Sequence, residues 1–168
     1  YWFYFLENCK KMNLIKIILP LMEESYISGE EFKTLKSILK ESITLLKDSK
    51  INIFIEANND ARELKEFLKE MNEKKIGCVF DTGNRILQNQ DLVEEYSILE
   101  PFIGHIHLKD RDKDGKNTLF GTGRVNFKSF FHSLKKYNFD GAFVFETYKG
   151  TDPVKIMKSN LRHIEMVT

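Results

Sequence analysis

The sequence predicts an α/β fold, a parallel sheet covered by helices. Three observations predict it. Short β-branched runs alternate with stretches of helical periodicity from Leu14 to the C-terminus. No low-complexity linker or composition break interrupts the 168 residues, so a single domain spanning 1–168 is expected. Four of the runs end in a side chain able to bind a metal: Glu56, Asp81, His107 and Glu146.

The elements follow in order. Leu14 to Pro20 is a compact aliphatic run closed by proline, a buried strand. Glu30 to Lys50 places Phe32, Leu35, Leu39, Ile43 and Leu46 three and four residues apart, the spacing of one helix face. Ile51 to Ala57 is the second strand. Asp60 to Asn72 carries Leu64, Phe67, Leu68 and Met71 on one face and reads as a helix. Gly77 to Asp81 is the third strand, Leu92 to Leu99 a helix, and Phe102 to Leu108 the fourth strand. Phe127 to Lys136 is a helix and Ala142 to Glu146 the fifth strand. Asp152-Pro153 opens a last helix with proline at its favoured first position.

Composition narrows the function classes. Hydrophobic residues make up 42% and charged residues 30%, and acids nearly balance bases at a net charge of +1. The basic residues are scattered among acids, so no nucleic-acid partner is expected. No apolar stretch approaches the roughly 20 residues of a membrane span, so no membrane partner is expected. The two cysteines, Cys9 and Cys78, are too few for a disulfide framework and fit a cytoplasmic protein. Cys78 lies in an apolar run and reads as a small core residue. The chain opens on Tyr1 inside an aromatic run, which suggests a fold truncated at its N-terminus.

In parallel α/β folds the carboxyl ends of the strands point to one face, where active sites sit. Glu56, Asp81, His107 and Glu146 all stand at such ends, on successive strands. Three carboxylates and an imidazole suit one divalent ion such as Mn²⁺, Mg²⁺, Co²⁺ or Zn²⁺. Asp81 also reads as a cap for the turn through Thr82-Gly83-Asn84. Gly121 and Gly123 read as a tight backbone turn. Asn84, Lys109 and Arg111 are candidate substrate-binding residues, and Glu23, Glu24 and Tyr26 lie where they could touch a substrate.

Ile55-Glu56, Phe80-Asp81-Thr82-Gly83-Asn84, His105-Ile106-His107-Leu108-Lys109-Asp110-Arg111, Gly121-Thr122-Gly123 and Phe139-Asp140-Gly141-Ala142-Phe143-Val144-Phe145-Glu146 occur in this order. Together they resemble the second half of the xylose isomerase-like family of sugar-phosphate isomerases and epimerases, which also includes DNA-repair enzymes of the endonuclease IV type. The resemblance implies a parallel (β/α)8 TIM barrel, of which this chain would hold about the last five β/α units. Tyr1 to Asn13 would then end a helix of the preceding unit. It implies a metal on Glu56, Asp81, His107 and Glu146, with Glu56 and Glu146 also catalytic as acid and base on a small-molecule sugar or sugar phosphate. The expected activity is isomerisation or epimerisation through an enediolate, in carbohydrate metabolism. Asn84 stands where many relatives carry histidine, and the loop from Asp110 to Phe120 has no histidine. Both departures count against the alternative of a phosphodiesterase of the endonuclease IV type. A further alternative is a catalytically inactive barrel fragment.

Overall fold

The chain is described from a computed structural model over residues 1–21, 28–88 and 91–168. It folds as two compact units, Tyr1–Val79 and Phe80–Thr168.

The first unit runs α1 (Trp2–Lys11), β1 (Lys16–Leu21), α2 (Glu30–Leu45), β2 (Asn52–Ala57), α3 (Ala61–Met71) and the start of β3 (Ile76–Asp81). β1 pairs parallel with β2, and β2 parallel with β3, so the predicted parallel sheet is present. Pro20 does not close β1 but sits inside it, opposite Glu56. That is tolerated because β2 is the only strand paired with β1 among the described residues, so the missing N–H breaks no second ladder.

The predicted helix over 30–50 ends early, at Leu45. Its periodic face continues to Leu46, but the polar stretch beyond it turns instead. The Ser49 hydroxyl donates to Leu46 O at 2.8 Å, and Lys75 Nζ donates to Leu46 O and Ser49 O at 2.6 Å each, satisfying carbonyls at the helix end. α3 begins where Asp60 Oδ1 accepts from Arg62 N at 2.8 Å and ends at Asn72 in the left-handed region, φ 50°. Its predicted face, Leu64, Phe67, Leu68 and Met71, is buried. Ile53 and Ile55 of β2 are fully covered, each worth about 2 kcal/mol over leaving it in water. Cys9 and Cys78 are both buried, and neither is in a disulfide.

β3 carries the chain into the second unit, and all six of its residues are buried, as expected for a parallel strand covered on both faces. There follow α4 (Thr82–Leu87), α5 (Leu92–Leu99), a 3-10 turn over Glu100–Phe102 and β4 (Ile103–Leu108). A small antiparallel hairpin, β5 (Asp110–Arg111) with β6 (Asn117–Thr118), precedes α6 (Phe127–Lys136), β7 (Ala142–Phe145) and α7 (Pro153–Val167). β4 pairs parallel with β7, His107 opposite Val144 and Leu108 opposite Phe145. Among the described residues four helices here start on an Asx cap, Asp81, Asp91, Asn126 and Asp152, each accepting a backbone N–H of the first turn.

The core of this unit is aromatic. Phe80 stacks on Phe130 at 5.4 Å, and Tyr96 meets both edge-on at 5.8 Å. A buried Arg85–Glu95 ion pair at 2.7 Å lies beside it. No helix among the described residues is long and apolar enough to cross a membrane.

Candidate metal centre

Parallel pairing sets the level of each strand end. β7 runs beside β4, and after Phe145 the Glu146 N–H donates to Leu108 O at 3.0 Å, which brings Glu146 alongside Lys109. Asp81, the last residue of β3, caps α4: its Oδ1 accepts from Asn84 N at 2.8 Å. The predicted turn over Thr82-Gly83-Asn84 is therefore the first turn of a helix, with Asp81 as its cap as expected.

Three of the predicted ligands meet in the second unit. Asp81, His107 and Glu146 each offer a ligand atom within 4.8 Å of the others. His107 Nδ1 lies 3.7 Å from Asp81 Oδ2 and 3.4 Å from Glu146 Oε1. Asp81 and His107 are buried, while the Glu146 side chain is 42% exposed, open to a ligand. The fourth predicted ligand, Glu56, is buried near the carboxyl end of β2 in the first unit. Glu23, Glu24 and Tyr26 lie outside the described residues.

Lys109 stands among the ligands. Its Nζ is 2.8 Å from Asp81 Oδ2 and 2.5 Å from Glu146 Oε2. Burial alone would lift the Asp81 carboxyl, but His107 and the Lys109 ammonium outweigh it and hold Asp81 below the usual carboxylate range. Burial likewise opposes the charge on Lys109, and Asp81 and Glu146 outweigh it, raising the ammonium's pKa.

The donor set passes a test of fit to a divalent cation. Asp81 Oδ2 is buried without a hydrogen-bond partner, and the Lys109 ammonium 2.8 Å away pairs with it by charge. An anionic oxygen left so, beside an imidazole nitrogen and a second carboxylate, is what a hard or borderline metal ion would satisfy.

The three predicted substrate groups are not arranged alike. Lys109 faces the carboxylates. Asn84 and Arg111 face each other, Arg111 Nη2 donating to Asn84 Oδ1 at 3.0 Å, while Arg111 Nη1 donates to Gly115 O at 3.1 Å.

One residue escaped the sequence reading. The Asp110 carboxylate is buried and accepts four backbone N–H groups: Arg111 at 2.9 Å and Val125 at 3.0 Å on Oδ1, Gly121 and Gly123 at 3.0 Å each on Oδ2. It holds the loop after the β5–β6 hairpin against the end of β4. The predicted glycine turn is confirmed, with different reasons for each glycine. Gly121 has φ 79°, and a Cβ on Gly123 would stand 2.3 Å from Asp110 Oδ1. The available signal was the pair of glycine N–H groups 11 and 13 residues downstream, which need an acceptor.

A sequence profile described as xylose isomerase-like TIM barrel matches residues 5–166. A ketose 3-epimerase of Arthrobacter globiformis is 25% identical, over 55% of this chain and 31% of its own. An inosose dehydratase of Clostridium perfringens is 23% identical, over 76% of this chain and 51% of its own. The chain thus spans between about a quarter and about half of the length of the curated relatives it matches. A crystal structure of IolI with a zinc atom superposes with a TM-score of 0.79 at 18% identity, over 99% of this chain and 69% of that one.

Proposed function

Because the chain belongs to the xylose isomerase-like TIM barrel family, holding about the last five units of a (β/α)8 barrel, we propose that it carries the metal and acid–base groups of a sugar or sugar-phosphate isomerase or epimerase. The observation that carries this reading is the convergence of Asp81, His107 and Glu146 within 4.8 Å. Glu56, at the end of β2, is proposed as the fourth ligand. A divalent ion on these four groups would supply Lewis-acid stabilisation of the negative charge that develops on the sugar oxygens.

The chain's own residues do the rest. One of the carboxylates Glu56 and Glu146 takes the proton from the carbon beside the sugar carbonyl, leaving an enediolate, and the other returns a proton. Return to the same carbon from the opposite face is epimerisation; return to the neighbouring carbon is isomerisation. Before metal binds, His107 and Lys109 outweigh burial and hold the Asp81 carboxyl below its usual range, so Asp81 is proposed to meet the ion as a charged ligand. Asn84 and Arg111, already paired with each other, are proposed to bind substrate hydroxyls or a phosphate.

The relative that is an inosose dehydratase favours a second reading: the same proton abstraction followed by loss of a neighbouring hydroxyl instead of proton return. One experiment separates the two. Ketoses and sugar phosphates are incubated in deuterated water with the chain and with Glu146→Gln. An isomerase or epimerase places deuterium on a carbon of a product of unchanged formula, and Glu146→Gln abolishes it. A dehydratase yields a product short of one water. Turnover that survives Glu146→Gln undiminished contradicts both.

A further inference from the structure

Lys109 is held in place by several independent contacts. The Thr82 hydroxyl accepts from Lys109 N at 2.9 Å and donates to Lys109 O at 2.7 Å, gripping its backbone at both polar groups. Its stem lies against Gly83, where a Cβ would come within 2.5 Å of Lys109 Cγ, so α4 can start here only with a glycine under that stem. Its head reaches the two carboxylates that are also candidate metal ligands, Asp81 Oδ2 and Glu146 Oε2, and the side chain is 8% exposed. Beside it opens a cavity of about 500 Å³, lined by Lys109, Glu146, Asn117, Tyr148 and Lys149.

An ammonium and a divalent ion cannot both use the same carboxylate lone pairs at these distances without strong repulsion between them. We propose, on the metal reading above, that Lys109 is a resident cation of the site. Without metal it holds Asp81 and Glu146 together in place of the ion. A divalent metal takes those oxygens and displaces the ammonium into the adjacent cavity, where it becomes a donor to whatever occupies that space. Lys109 is thus a positioning residue that lowers metal affinity, because each binding event must first displace a paired charge.

Two measurements on the 168-residue chain test this. In a calorimetric titration with Mn²⁺, Lys109→Met binds the ion about tenfold more tightly than the wild type, since no ammonium competes. In the wild type, amine acetylation mapped by peptide mass spectrometry is slow at Lys109 and quickens when Mn²⁺ is added. Lys36, paired with Glu70 at 2.5 Å, serves as the control and does not respond. A purely structural lysine behaves otherwise: Lys109→Met then binds Mn²⁺ equally or more weakly, and that result overturns the proposal while leaving the metal site standing. An unchanged acetylation rate overturns it too, and this arm decides if Lys109→Met does not fold. If the wild type and Lys109→Met both bind no metal, the metal reading itself falls and this inference falls with it.

Discussion

The two units bury different kinds of side chain. In the first, the core is chiefly aliphatic, Leu39, Ile53, Ile55 and Leu64 among its covered residues, and ion pairs such as Lys33–Glu30 and Lys69–Glu66 lie on the surface. In the second, Asp81, Arg85, Glu95, His105, His107, Lys109 and Asp110 are all buried, around an aromatic core. Burying a charge costs free energy unless a partner or ligand compensates it, so a unit that buries many is built for chemistry rather than for stability alone. Substitutions at the buried charges of the second unit should therefore be expensive, and those at the surface ion pairs of the first nearly free.

The largest effect is expected at Asp110. Asp110→Ala strands four backbone donors and costs about 4 kcal/mol, read by urea denaturation. Asp110→Asn keeps an acceptor but points an amide at some of those donors, and falls between. Next comes the buried ion pair. Arg85→Met removes the buried cation 2.7 Å from Glu95 and costs about 3 kcal/mol, whereas Arg85→Met with Glu95→Leu recovers most of it. A double variant no better than the single one would break the comparison at this point.

Lys69→Ala, in the first unit, shifts stability by less than about 0.5 kcal/mol, because its pair with Glu66 is solvated. A larger loss would show that surface pairs matter as much as buried ones.

The smallest effect at neutral pH is expected inside the second unit. The Tyr96 hydroxyl is buried with no hydrogen-bond partner among the described residues, so Tyr96→Phe leaves the melting temperature unchanged or raises it. Burial, helped by the charge of Glu100, pushes the Tyr96 phenol up to about 12. A raised acid pKa favours the folded state while the group is neutral. Its contribution is therefore full below pH 10.0 and is lost as the pH rises through about 12. Tyr96→Phe should remove that alkaline loss, and a pH series of melts checks it.

How much of this was legible in the sequence divides by physical cause. The strands were legible because aliphatic runs such as Ile51 to Ala57 differ sharply from their polar flanks, and the α3 face because its periodicity is strong. α4 was missed because its six residues, beginning Thr82-Gly83, are too few for an apolar period and start on a poor helix former. The β5–β6 hairpin has two residues per strand and leaves no pattern. Asp81, His107 and Glu146 could be paired from strand ends alone, since parallel register brings such ends together. The partner of Lys109 could not, since a lysine after a strand looks the same whether it meets water, phosphate or a carboxylate. Asp110 was hidden for the same reason, between Lys109 and Arg111 in a charged stretch.

The central claim is that the strand ends of the second unit belong to a divalent-metal site. It is tested most directly by elemental analysis of the purified chain after dialysis against Mn²⁺, beside Asp81→Ala. About one ion per chain is expected in the wild type and none in Asp81→Ala. A wild type free of metal, or an ion retained unchanged by Asp81→Ala, would contradict it.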